Sequence, residues 1–132
     1  MILKLDMSSN VPIYVQLRNE IVMGIGRGEI KVGEGLPTVR QMAEDIGINT
    51  MTVNKAYNIL KNEGYIEIDR RHGARVNPLI DTSKEFKEKV ESELELIIVE
   101  SGLKGINYDE FINMCENIFN KMDGLKLKGS EI

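Results

Sequence analysis

The sequence predicts a mainly α-helical protein with one small β-hairpin, arranged as an N-terminal winged helix-turn-helix followed by a C-terminal helical hairpin. Three helical segments precede a pair of short alternating strands, and two further helical segments follow. The charge also divides unevenly along the chain. Residues 1–80 carry ten basic and nine acidic side chains, a balance of +1, whereas residues 81–132 carry seven and twelve, a balance of −5. The two parts are therefore predicted to have different roles.

The composition narrows the class of protein. The chain has 132 residues, a net charge of −4 and 42% hydrophobic residues, which is typical of a globular protein with one domain or one small domain and an appendage. No apolar run approaches the ~18 residues that cross a bilayer, and the N-terminus lacks a signal-peptide pattern. With one cysteine, Cys115, and one histidine, we expect no disulfide, no metal site and a cytoplasmic protein.

The first helix is predicted to begin after Pro12, because proline fits a first turn where its missing N–H would have no partner. Glycines at positions 26 and 28 end this helix, and residues 29–35 are expected to form a short extended piece. Its apolar positions recur every four residues, at Ile13, Leu17, Ile21 and Ile25.

The second and third helices each have a polar residue at the N-cap. Thr38 stands three residues before Gln41, the spacing of a capping box in which the threonine oxygen accepts a backbone N–H and the glutamine reaches back. Asn49 is the predicted N-cap of the third helix, which runs to about Glu63. Its inward face is predicted at Val53, Ala56, Tyr57 and Leu60.

The spacing of Ala43, Gly47 and Val53 is typical of a helix-turn-helix. Two tightly crossing helices need a small residue in the first, a glycine at the turn and a β-branched residue in the second. A packed helix pair in any small helical domain would meet the same demands, so the spacing alone favours the motif without deciding it. The alternating residues 65–69, a turn at residues 70–73 and a return strand at residues 74–77 add a hairpin, which completes the order of a winged helix.

Several segments resemble the DNA-binding domain of the GntR family of bacterial transcription regulators. They are residues 12–14 (PIY), 28–33 (GEIKVG), 36–40 (LPTVR), 48–53 (INTMTV) and 63–66 (EGYI). The resemblance covers residues 11–77. The short C-terminal part and residues 52–57 (TVNKAY) are similar to the YtrA-type subfamily. This resemblance implies a homodimeric regulator, most often a repressor, that binds a near-palindromic operator and needs neither a cofactor nor catalytic residues. The short C-terminal part offers no obvious pocket for a small-molecule effector, although a cleft between the helices of a dimer could hold one.

The outer face of the third helix has short polar or basic side chains and no carboxylate, as a helix in a DNA groove requires. Thr50 and Asn54 are the predicted readers of base edges, and Met51 is placed to touch a thymine methyl group. Thr52 and Lys55 are predicted to bind phosphate near the positive end of the helix dipole. The alternative is an ordinary solvated helix face.

The second helix and the wing supply the other predicted DNA contacts. Arg40 matches the arginine of the family's Pro-Ser-x-Arg element, although it could instead pair with Glu44 one turn away. Thr38 is predicted to contact phosphate or to act only as a cap. The wing departs from the family's Gly-x-Gly pattern, because arginines replace its first glycine and its aromatic residue. The added charge predicts phosphate contacts, and His72 at the tip either enters a minor groove or is simply exposed. The candidates in the wing are Arg70, Arg71, His72 and Arg75.

Residues 1–77 are predicted to form the DNA-binding domain, residues 78–83 a linker, and residues 84–132 a two-helix dimerisation region. The two C-terminal helices have more apolar side chains than a lone helical hairpin can bury. They are Phe86, Val90, Leu94 and Ile97 in the first helix and Phe111, Met114, Ile118 and Met122 in the second.

Two other functions are alternatives to DNA binding. The acidic total and the altered wing would suit a winged-helix protein-interaction module, whereas the acidic pairs have no histidine or nucleophile nearby, so we predict no enzyme.

Overall fold

The computed structural model describes residues 3–78 and 83–125, and in that part of the chain it contains five helices and one two-stranded antiparallel hairpin. The elements are α1 (Ile13–Arg27), α2 (Val39–Ile46), α3 (Thr50–Asn62), β1 (Ile66–Asp69), β2 (Gly73–Val76), α4 (Lys84–Leu103) and α5 (Tyr108–Asn120). The predicted class and the predicted order of elements are confirmed. In the described residues, none of the helices is long and apolar enough to cross a membrane.

The chain separates into two compact units. Residues 3–78 and 123–125 belong to the first, here called the winged unit, and residues 83–122 belong to the second, here called the helical pair. Most of the predicted linker, residues 79–82, lies outside the described residues, as does the end of the predicted dimerisation region, residues 126–132.

The core of the winged unit lies where α1, α2 and α3 meet. Leu17 and Ile21 of α1 are fully buried, and so is the predicted inward face of α3. The helix-turn-helix is present, with Ala43 and Val53 buried between its helices. Gly47 caps the end of α2 in the left-handed backbone conformation and donates its N–H to the Ala43 carbonyl. The sequence pattern therefore identified the correct inner face, because burial follows the helical period.

A third extended segment, residues 33–36, pairs with the predicted hairpin. Ile66 of β1 pairs with Val76 of β2, and residues 33–36 run along the other edge of β2. Gly33 donates its N–H to the Val76 carbonyl at 2.8 Å, and Leu36 donates to the Ala74 carbonyl at 2.8 Å. The extended piece before α2 is therefore tied to the wing by backbone hydrogen bonds.

Residues 123–125 return to the end of α1. Gly124 donates its N–H to the Gly26 carbonyl at 2.9 Å. A Cβ at position 124 would overlap the Ile25 carbonyl oxygen and would lie 2.9 Å from the Gly28 Cα. Only glycine fits this approach of two backbones, so the chain beyond α5 is attached to the winged unit at a specific place.

Tyr57 connects α3 to the segment that leads into α2. Its side chain is 1% exposed, and its hydroxyl donates to the Pro37 carbonyl at 2.7 Å. Burial raises the pKa of Tyr57 well above its ordinary value. This hydrogen bond fixes the residue immediately before the Thr38 cap.

We expect Tyr57→Phe to lower the free energy of unfolding by about 1–3 kcal/mol at pH 7, because the Pro37 carbonyl loses its donor in a partly buried place. The wild type should also lose stability as the pH rises above about 10, since the tyrosine ionises in the unfolded chain before it does in the folded one. Tyr57→Phe should weaken this alkaline loss. Urea unfolding between pH 7 and pH 11 measures both effects. Tyr65→Phe is the control, and an equal change in that variant would contradict the assignment.

Candidate nucleic-acid interface

The N-terminal half of α3 presents the predicted base-reading residues. The Asn49 side chain caps the helix by accepting the Met51 N–H at 2.6 Å. Thr50, Met51 and Asn54 are exposed, with Met51 78% exposed, whereas Thr52 is half-buried. The three predicted base-contacting side chains are therefore accessible from solvent.

The first turn of α2 carries Thr38 and Arg40. Thr38 Oγ1 accepts the Gln41 N–H at 3.0 Å, so the cap is confirmed. The expected return of the Gln41 side chain is wrong: its Nε2 donates to Asp45 Oδ1 at 2.7 Å. A hydrogen bond donated to the charged carboxylate one turn away is stronger than one accepted from the neutral Thr38 backbone N–H. The threonine oxygen serves as the cap acceptor, which leaves its hydroxyl hydrogen able to donate to another group.

Arg40 is exposed, and within residues 3–78 and 83–125 its guanidinium makes no ion pair. The alternative pairing with Glu44 is therefore not formed. An arginine held on a short capped helix without a carboxylate partner is available for an external anion.

Lys55 has a partner that the sequence did not indicate. Its Nζ lies over the ring of Tyr14, 3.9 Å from the centroid. Periodicity placed Tyr14 beside the apolar face of α1 and Lys55 on the outer face of α3. Only the packing of these two helices brings the residues together.

A second unforeseen cluster joins α1 to the far end of α3. Arg18 Nε donates to Glu63 Oε1 at 2.9 Å, and the guanidinium lies 5.3 Å from the centroid of the Tyr65 ring. Arg18 therefore fixes α1 to the segment that connects α3 with the wing. No local pattern could have revealed a pair 45 residues apart.

The wing turn is stabilised by a carboxylate. Asp69 Oδ1 accepts the His72 backbone N–H at 2.5 Å, and Oδ2 lies 3.3 Å from His72 Nδ1. The backbone hydrogen bond is the main reason that the pKa of Asp69 is lowered. Arg70 and Arg71 are exposed. The predicted turn is confirmed, and Asp69 holds it through the hydrogen bond from the His72 backbone N–H.

Arg75 lies on the outer face of β2. Its neighbours Ala74 and Val76 are buried, whereas Arg75 is half-buried opposite Glu67 of β1. Its side chain therefore has an acidic cross-strand neighbour, unlike the arginines at the tip of the turn.

The helical pair has regular caps and an uncovered apolar surface. Ser83 Oγ accepts the Phe86 N–H at 3.1 Å, and Asn107 Oδ1 accepts the Glu110 N–H at 2.9 Å. No residue of α4 or α5 is buried. Met122 lies beyond α5, which ends at Asn120, so it is not part of the helical stripe in which it was predicted.

Comparison with known proteins identifies the family. The model of "Bacterial regulatory proteins, gntR family" matches residues 13–76. The structure of YtrA from Sulfolobus acidocaldarius, a GntR-family transcription factor, is 35% identical, with a TM-score of 0.62 over 76% of this chain and 97% of that one. The chain belongs to the GntR family. The predicted resemblance is therefore confirmed, and the protein is a transcription regulator with a DNA-binding winged helix-turn-helix.

Two further comparisons extend through the C-terminal helices. The transcriptional repressor YtrA of Bacillus subtilis is 28% identical over 126 residues, which cover 94% of this chain and 97% of the relative. A transcriptional antiterminator from Listeria monocytogenes EGD-e is 24% identical, with a TM-score of 0.80 over 90% of this chain and 93% of that one. The second likeness shows the fold alone. The YtrA-type resemblance thus spans both parts of this GntR protein.

Proposed function

We propose that this GntR protein represses transcription in the cytoplasm as a homodimer that binds a near-palindromic operator. The observation that carries the proposal is the outer face of α3. It is exposed, has no carboxylate between Thr50 and Lys61, and begins at a capped helix N-terminus. A groove lined by phosphates accepts such a face and rejects an acidic one.

The proposed contacts follow from the position of each side chain. Thr50 and Asn54 read base edges, and Met51 touches a thymine methyl group. Thr52 and Lys55 bind phosphate close to the helix N-terminus. The remaining contacts come from α2 and the wing: Thr38, Arg40, Arg70, Arg71, His72 and Arg75.

The second subunit is proposed to dock on the helical pair. Phe86, Val90, Leu94 and Ile97 of α4 are between 44% and 53% exposed, and Phe111, Met114 and Ile118 continue the apolar surface on α5. At ~25 cal/mol per Å2, leaving this surface in water would cost several kcal/mol. A second copy is the proposed occupant, because one recognition helix reads few base pairs and a dimer places two about 34 Å apart.

Residues 1–77 are accordingly proposed as the DNA-binding domain, residues 78–83 as the linker and residues 84–132 as the dimerisation region. Within that last range, residues 123–125 pack with the winged unit. Met122 is kept within that region although it lies outside α5. The cleft between the helices of a dimer is the proposed place for a small-molecule effector.

The test is DNA binding measured as a function of salt, with duplexes from upstream of the protein's own operon and with duplexes selected from a randomised pool. Affinity should fall steeply with salt, because phosphate contacts release counterions. A protein that binds neither set of duplexes would be a protein-interaction module instead.

We expect Arg40→Ala to weaken operator binding and to reduce the salt slope by about 0.9 per protomer, the value for one lost phosphate contact. Fluorescence anisotropy titrations at four or five salt concentrations measure both quantities. Arg27→Ala removes the same charge from the exposed end of α1 and serves as the matched control. Equal slopes in the wild type and Arg40→Ala would remove Arg40 from the interface.

A further inference from the structure

Tyr14 and Lys55 form a contact across two packed helices. Tyr14 lies in the first turn of α1, is half-buried and packs against the core. Lys55 lies in α3 and is exposed. The 3.9 Å from Nζ to the ring centroid places the ammonium on the ring face, where the charge is attracted to the π electrons.

This contact restricts the conformations of the Lys55 side chain in the protein without DNA. A free lysine samples many rotamers, and fixing its four-carbon stem on a phosphate costs conformational entropy. A ring that already holds the ammonium removes part of that cost from the binding step. The ring covers one side of the ammonium, so donors on the other side stay available to a phosphate oxygen.

We propose that Tyr14 is a positioning residue for operator binding, which holds the Lys55 ammonium in place for a backbone phosphate. The inference rests on the proposed DNA binding and adds to it a residue that lies outside the helix-turn-helix and the wing. Tyr14 acts through Lys55, and the aromatic face rather than the hydroxyl is the active part.

Operator titrations of Tyr14→Leu test this proposal. We expect affinity to fall by about two- to fivefold per half-site, the usual strength of an exposed cation–π contact. The salt slope should stay unchanged, because the lysine still reaches its phosphate. Lys55→Met should both weaken binding and flatten the slope by about 0.9 per protomer. Tyr14→Phe keeps the ring and should bind like the wild type.

A double-mutant cycle distinguishes positioning from general destabilisation. In a Lys55→Met background, Tyr14→Leu should cause no further loss, because the group that it positions is gone. In a Lys61→Met background the same change should keep its full effect, since Lys61 lies on the same helix without a ring partner in the described chain. Equal losses in both backgrounds would overturn the proposal, and so would a Tyr14→Phe loss as large as that of Tyr14→Leu.

A measurement without DNA separates this inference from the proposed function. The ring should shift the proton resonances of the Lys55 ε-methylene upfield, and Tyr14→Leu should abolish the shift. If the shift is present and the wild type binds no duplex, the proposed function fails and the contact remains. If the wild type binds and the shift is absent, the positioning role is wrong.

Discussion

Ile97→Glu should convert the proposed homodimer into a folded monomer and weaken operator binding by roughly 100-fold or more. Joining two DNA-binding units typically raises avidity by factors of about 10²–10⁴, and a monomer loses that gain. Ile97 is 53% exposed on α4, so a carboxylate there is solvated in the monomer and unpaired in a dimer interface. Sedimentation and circular dichroism report the assembly and the fold.

Val99→Glu is the matched control for this change. Val99 is 50% exposed and lies two positions further along α4, about 200° around the helix. The control should remain a dimer. A monomeric control with a dimeric Ile97→Glu variant would move the interface to the other side of α4. The point variant is cleaner than truncation after Asn77, which also removes the hydrogen bond from Gly124 to Gly26.

Asn54→Ala should change which operators the protein binds. A good base contact contributes about 1–3 kcal/mol of discrimination, and a symmetric dimer loses the contact twice, which gives about 2–6 kcal/mol. Thr50→Ala should act in the same direction more weakly. Binding to a panel of duplexes with single base-pair changes measures the effect, since the preference at one symmetric pair of positions should disappear.

Asn58→Ala is the comparison for Asn54→Ala. Asn58 is also exposed on α3 and lies one turn further from the N-terminus that enters the groove first. The Asn58→Ala variant should therefore keep the base preferences of the wild type. If Asn54→Ala weakens all duplexes equally, the side chain binds the phosphate backbone rather than a base.

The local features of the winged unit were predictable from the sequence. Caps at Thr38 and Asn49 and the inner face of α3 follow from short-range rules, because a helix repeats every 3.6 residues and its first N–H groups need acceptors. The turn of Gln41 toward Asp45 was missed because its amide could either accept the Thr38 backbone N–H or donate to the Asp45 carboxylate. The hydrogen bond to the charged group was favoured.

The contacts between distant segments could not be predicted in the same way. Arg18 with Glu63 and Tyr14 with Lys55 depend on how α1 crosses α3, which periodicity does not specify. The return of Gly124 to α1 joins residues about one hundred positions apart. Hydrophobic patterns identify which faces are buried but not which side chains meet. This is why the site residues on single helices were proposed from the sequence, whereas Tyr14 was recognised only from the structure.

In the wing, one residue holds the shape of the turn and other residues supply its positive charge. Asp69 at the end of β1 holds the turn by accepting a backbone N–H from His72, and the side chains of Arg70 and Arg71 take no part in this hydrogen bond. Substitutions at those two positions can therefore alter the number and placement of positive charges without altering the backbone. In the proposed operator complex, single replacements at Arg70 and Arg71 would therefore change the phosphate contacts of the wing while the turn keeps its shape, as long as the carboxylate of Asp69 is retained.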